Sequence, residues 1–150
     1  MKVLVGYESR SGNTERAAKA IAAEAESLGH DVVCKPLADI RGHDVALAQV
    51  LFIGSWVKGF LIVGVGPAHK AMGYLESFSG LEGKQAGVFC TYALNPRGTL
   101  DKLRSFLASR GALVVGEKAF RGHGTETEGA EDFARGVLDA ETKLRSSESV

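Results

Sequence analysis

Val3-Leu4-Val5-Gly6-Tyr7-Glu8-Ser9-Arg10-Ser11-Gly12-Asn13-Thr14 is the stretch on which the fold turns. An apolar, strand-like run breaks into a turn of hydroxyls and glycine, and a helical pattern follows at once. Such a strand-to-helix turn suits a phosphate, because the first backbone N–H groups of a helix have no partner inside it and the helix dipole favours an anion there. Ser9, Ser11 and Thr14 add hydroxyls, Asn13 adds amide donors, and Gly12 lets the backbone come close. A polar turn that merely caps its helix has the same composition.

The turn is neither a Walker loop, since no Gly-Lys-Ser/Thr follows, nor a dinucleotide fingerprint, since Gly-x-Gly-x-x-Gly is absent. Gly64-Val65-Gly66-Pro67-Ala68-His69 resembles a fragment of that fingerprint, but it lacks the third glycine and follows a third strand. A hydroxyl-rich loop without lysine suits a phosphate monoester that shares no metal.

Outward from this turn, apolar periodicity alternates between strand and helix. Strands are expected at Lys2–Tyr7, Asp31–Pro36, Val50–Ser55, Gln85–Thr91 and Ala112–Phe120. Helices are expected at Asn13–Leu28, with Ala17, Ala18, Ile21, Ala22, Ala25 and Leu28 inward, at Pro67–Phe78, and from an Asn95-Pro96 cap onward. The last covers Glu128 to Arg145, with Phe133, Val137, Leu138 and Leu144 inward. Asp39–Ala48 reads as a turn with a short helix. Strands separated by single helices form a parallel sheet covered on both faces. The expectation is an α/β three-layer sandwich with a five-stranded parallel sheet in the order 2-1-3-4-5. Ligands bind such sheets at the carboxyl ends of the strands where the winding reverses, between the first and third strands, and the hydroxyl-rich turn ends the first.

The chain has 150 residues, enough for one domain with a real core, and Ser146–Val150 reads as a frayed tail. Lysine plus arginine equals aspartate plus glutamate at 18 each, which argues against nucleic acid as a partner. The N-terminus is too short and strand-like for a signal peptide, and the longest apolar stretch, Phe60 to Pro67, is too short to span a bilayer. Cys34 and Cys90 lie far apart and suit a reducing cytoplasm. The four histidines show no ligand spacing, so no metal is expected. A phospho-receiver domain would need an aspartate where the third strand ends at Ser55.

Two more turns bear on the ligand. After the third strand comes Gly54-Ser55-Trp56-Val57-Lys58-Gly59, with the chain's one tryptophan. Trp56 either stacks on a planar ligand or closes the top of the core. After the fourth comes Thr91-Tyr92-Ala93-Leu94-Asn95, where Tyr92 is a second aromatic wall or a helix-packing residue. Phe60 to Gly66 is a loop folded back on the core, a short extra strand, or an apolar rim for a partner. Gly122-His123-Gly124, after the fifth strand, either edges a substrate pocket or is a simple turn.

With these three loops the chain resembles the flavodoxin family. Ser9-Arg10-Ser11-Gly12-Asn13-Thr14 is similar to that family's FMN-phosphate loop, and Gly54-Ser55-Trp56 to a subgroup with that tripeptide after the third strand. The resemblance implies that Ser9, Arg10, Ser11, Gly12, Asn13 and Thr14 hold the FMN phosphate. It implies that Ser55, Trp56, Val57 and Gly59 line one side of the isoalloxazine, and Thr91, Tyr92 and Ala93 its other side and pyrimidine edge. The implied function is an FMN-binding electron carrier between a reductase and an acceptor, as a monomer or weak homodimer, with the redox chemistry belonging to the flavin and no side-chain acid or base required. The alternatives are an FMN-dependent NAD(P)H reductase of a small acceptor such as a quinone, and a flavin-free binding module on the same scaffold.

Overall fold

The computed structural model describes residues 1–60, 63–67, 69–93, 96, 98–122 and 124–148. Strand β1 (Lys2–Glu8) leads into helix α1 (Asn13–Ser27), followed by β2 (Asp31–Pro36), a 3-10 turn (Leu37–Asp39) and α2 (Gly42–Leu47). Then come β3 (Val50–Phe60), β4 (Val63–Pro67), α3 (His69–Glu76), β5 (Gln85–Tyr92), α4 (Thr99–Ser109), β6 (Leu113–Arg121) and α5 (Ala130–Glu148). The order across the sheet is β2-β1-β3-β5-β6, all parallel, as the alternation predicts once β4 is set aside.

The core lies in two layers because β1, β3 and β5 are covered on both faces. On one side α1 and α5 bury Ala17, Ala18, Ile21, Ala25, Phe133 and Val137 against Val3, Val5, Phe52 and Phe89. On the other, Val45, Leu75, Leu103 and Leu107 pack on Leu4, Leu51, Ile53 and Val88. Alanines on the inner face of α1 bring that helix close to the sheet. Burial pushes the Cys90 thiol up to about 12 and Cys34 up to about 11, so neither is an activated nucleophile.

Several expectations are corrected. The third strand does not stop at Ser55. It runs on to Phe60 and returns as β4, antiparallel to it, with Val57 opposite Pro67 and Lys58 opposite Gly66. The apolar stretch after Phe60 is therefore an extra strand where it is described; Leu61 and Ile62 lie outside the described residues. Pro67 ends β4 rather than opening a helix, a position where its missing N–H costs no ladder bond in the sheet interior, and α3 starts at His69. Helix α4 starts at Thr99 behind Gly98, whose φ is 80°; Asn95, its expected cap, lies outside the described residues. Leu28 is 46% exposed because it sits past the last residue of α1, and Leu144, in the last turns of α5, is 37% exposed. Helix α5 runs on to Glu148, through most of the expected tail.

Candidate functional site

Register brings the ends of β1, β3, β5 and β6 to one edge. Glu8 is opposite Ser55, Trp56 opposite Thr91, and Tyr92 opposite Arg121. Chain connections turn one way from β1 to β2 and the other way to β3, so this edge at β1 and β3 is the switch point of the sheet. Strand β3 overhangs its neighbours there.

The turn after β1 is built around Ser9 and Gly12. The Ser9 hydroxyl accepts the Gly12 N–H at 3.0 Å and the Glu15 N–H at 3.4 Å, so it does cap the helix. Gly12 has φ 96°, which strains any residue with a Cβ. The capping leaves the N–H groups of Ser11, Asn13 and Thr14 without acceptors among the described residues. Arg10 and Ser11 are exposed, and Ser9, Gly12 and Asn13 half-buried. The turn thus both caps its helix and presents donors outward.

Thr14 and Ser55 also have partners within the protein. Thr14 is 1% exposed, and its Oγ1 lies 2.6 Å from Oγ1 of buried Thr91, tying the start of α1 to the end of β5. Ser55 is buried, and its hydroxyl donates to the Trp56 carbonyl at 2.8 Å. These groups brace the site from behind. Replacing Thr14 or Thr91 singly by valine should cost about 1–2 kcal/mol, because the remaining hydroxyl is left buried and unpaired. The double replacement should recover most of that loss in urea denaturation; additive losses would show that each hydroxyl is held independently.

Trp56 is half-buried, and the Arg10 guanidinium lies over its ring, 5.4 Å from the centroid. Val57 is also half-buried, on the overhanging part of β3, and Gly59 lies where the β3–β4 register shifts. Tyr92 is half-buried and Ala93 exposed at the end of β5. Trp56, paired with Thr91, and Tyr92, paired with Arg121, therefore stand on neighbouring strands in the last ladder positions at this edge, and Thr91 links the end of β5 to the start of α1.

A fourth loop, after β6, also reaches this turn, where the sequence offered the edge of a pocket or a simple turn. The Gly122 N–H donates to the Tyr92 carbonyl at 2.8 Å, and a Cβ on residue 122 would lie 2.8 Å from Nδ2 of Asn13. Farther on, Glu126 accepts from Nε of Arg16 at 2.6 Å. The sequence signal was the pair of glycines around His123. Glu126 itself carried no local signal.

The charges around the turn are largely compensated. Glu15 pairs with Lys19 at 2.9 Å, and that hydrogen bond holds its carboxyl below the ordinary range. Arg16 does the same for Glu126. Desolvation and the nearby Glu15 carboxylate push the Tyr7 phenol up to about 12, so it stays protonated at the base of the turn. Arg10 has no ion-pair partner among the described residues. No group of metal-ligating side chains occurs among them, and no helix among them is long and apolar enough to cross a membrane.

By sequence profile, residues 5–136 match the flavodoxin family. Among solved structures, a flavodoxin from the domain Archaea superposes with a TM-score of 0.80 at 20% identity, covering 95% of this chain and 99% of that one. The two-electron reduced flavodoxin of Megasphaera elsdenii gives 0.74 at 24% identity, over 89% and 98%. Rubredoxin oxygen:oxidoreductase from Desulfovibrio gigas gives 0.78 at 18% identity, over 95% of this chain but 36% of that one. At these identities the structural likeness speaks for the fold. No curated protein matches the sequence.

Proposed function

The chain belongs to the flavodoxin family, and from that premise we propose that it is an electron carrier that binds FMN at the carboxyl edge of its sheet. The observation that carries this reading is that a donor-rich helix start follows β1 at the same sheet edge at which the neighbouring strands β3 and β5 carry Trp56 and Tyr92.

The residues fit the cofactor. Orphan N–H groups of Ser11, Asn13 and Thr14, with the hydroxyls of Ser9 and Ser11 and the Asn13 amide, match the acceptor oxygens of a phosphate monoester. Trp56 and Tyr92, with Val57, Gly59 and Ala93 beside them, would wall a planar ring, and Thr91 backs the pocket by holding Thr14. FMN, when bound, supplies the redox chemistry. The chain's contribution is to hold the phosphate, shield the ring from water and set the local field. Arg10, a cation without an ion-pair partner among the described residues beside Trp56, favours added negative charge in the pocket and works toward a less negative potential. Overall neutrality, with 18 residues of each sign, acts in the same direction relative to a strongly acidic carrier. A reductase and an acceptor protein would then be its partners. Both cysteines are free thiols, as a reducing cytoplasm would keep them.

Titrating the apo-protein with FMN while following Trp56 fluorescence tests the reading, since Trp56 is the one tryptophan. Saturable one-to-one quenching is expected, with NADPH reducing the bound flavin only when a separate reductase is added. Direct and rapid oxidation of NADPH would instead make the protein a reductase of a small acceptor. An unquenched Trp56 at high FMN would indicate a flavin-free module.

A further inference from the structure

Arg16 and Glu126 join two loops that the chain separates widely, and neither belongs to the hydroxyl-rich turn. Arg16 lies in the first turn of α1, four residues after Gly12 and three after Asn13, so the helix brings its side chain beneath both. One terminal nitrogen of its guanidinium lies 2.9 Å from where a Cβ on residue 12 would stand, and the other donates to Oδ1 of Asn13. Its Nε donates to Oε1 of Glu126 at 2.6 Å. The Glu126 side chain is only 9% exposed, and its second oxygen accepts the Gly124 N–H at 2.7 Å.

The two carboxylate oxygens are therefore both engaged, and the guanidinium charge is met by a carboxylate in direct contact. This arrangement does not make Arg16 a free anion receptor. It does decide which way the Asn13 amide faces. With Oδ1 committed to Arg16, the NH2 group must point the other way, toward Gly122, where only the absence of a Cβ leaves it room. Gly122 in turn bonds to the carbonyl of Tyr92. One line of contacts thus runs from Glu126 through Arg16 and Asn13 to Gly122 and the base of the Tyr92 wall.

We propose that Arg16 and Glu126 are positioning residues: a clasp that holds the loop after β6 against the phosphate-binding turn and fixes the Asn13 amide with its NH2 group on the Gly122 side, so that the turn keeps the shape in which its backbone donors meet the ligand. The proposal rests on the phosphate reading of that turn. It has a consequence of definite sign. Glu126 is an anion beside an anion site, so by charge alone its removal should tighten phosphate binding. If it positions the donors, its removal should weaken binding.

The test is FMN and riboflavin affinity for Glu126→Gln and Arg16→Met, measured at fixed ionic strength by Trp56 quenching. Arg16 is 53% exposed, so its replacement leaves the core untouched should the Glu126 variant fold poorly. Each variant should bind FMN about tenfold more weakly, the worth of one charge-assisted hydrogen bond, with riboflavin affinity unchanged. The double variant should be no weaker than the worse single one, because both remove the same clasp. Tighter FMN binding by Glu126→Gln, equal losses for FMN and riboflavin, or additive losses would each overturn the proposal. Binding of inorganic phosphate, read by thermal stabilisation, separates this from the flavin reading. A protein that binds phosphate but not FMN would remove the flavin reading and still report the clasp, through weaker phosphate binding in both variants. Unchanged phosphate binding in both variants, or none in the wild type, would overturn the clasp.

Discussion

Replacing Gly12 by aspartate should weaken FMN binding by about 100-fold while leaving riboflavin binding within a few fold, as a carboxylate set against a phosphate dianion implies. Gly12 sits at φ 96° at the mouth of the helix, where the backbone presents its orphan donors. A side chain added there would also enter the space beside the Arg16 guanidinium, 2.9 Å from the new Cβ, and would compete with Glu126 for it. Geometry and charge are separated by Gly12→Asn, which has the same size and tolerates the left-handed conformation but carries no charge. The asparagine variant should keep most of the FMN affinity. Equal losses in the two variants would mean that backbone strain is the cause, and that the phosphate is held elsewhere. Equilibrium titration with each ligand gives the answer directly.

Replacing Gly54 by alanine should destabilise the protein by about 3 kcal/mol, the upper range for overpacking a core. A Cβ at residue 54 would lie 2.2 to 2.5 Å from three ring atoms of Phe89. That ring is fully buried and stands edge-on to Phe120 and Phe133, with centroids 6.1 and 6.4 Å away, so it has no free side to move toward. In a chain of this length such a loss lowers the melting temperature by roughly 6–12 °C. Combining Gly54→Ala with Phe89→Leu removes the colliding ring and should recover part of the loss, leaving a double variant more stable than the sum of the two single changes. A melting temperature unchanged by Gly54→Ala would show that the ring relaxes freely. Gly54 also lies two residues before Trp56 on the same strand, so the same close approach bears on where Trp56 stands.

The parts of the site that local chemistry encodes were legible in the sequence. The hydroxyl-rich turn with its glycine, and the single tryptophan after an apolar strand-like run, are each local features of the chain and can be read from residue type and spacing. The same reading placed Trp56 and Val57 in a turn. Both lie on a strand, because β4 folds back and supplies hydrogen-bond partners for the overhanging end of β3. An apolar run such as Phe60 to Gly66 suits strand, loop and rim alike, and only pairing distinguishes them. Thr14 presents the same difficulty. A threonine at a helix start reads as a donor to a ligand, and no local signal shows that its hydroxyl also meets that of Thr91, 77 residues away.

The sequence by itself determined the alternation of the five parallel strands with their helices, the doubly wound sheet and which turns meet at its carboxyl edge. These follow from apolar runs, helical periodicity and glycine stops, all of which act over a few neighbouring residues. The tertiary structure alone decided which side chains meet there. Glu126 reaches Arg16 across 110 residues, Gly54 makes room for Phe89, and Gly122 for Asn13. Such contacts depend on the register of strands and the packing of helices over the whole sheet, and no local spacing in the chain records them.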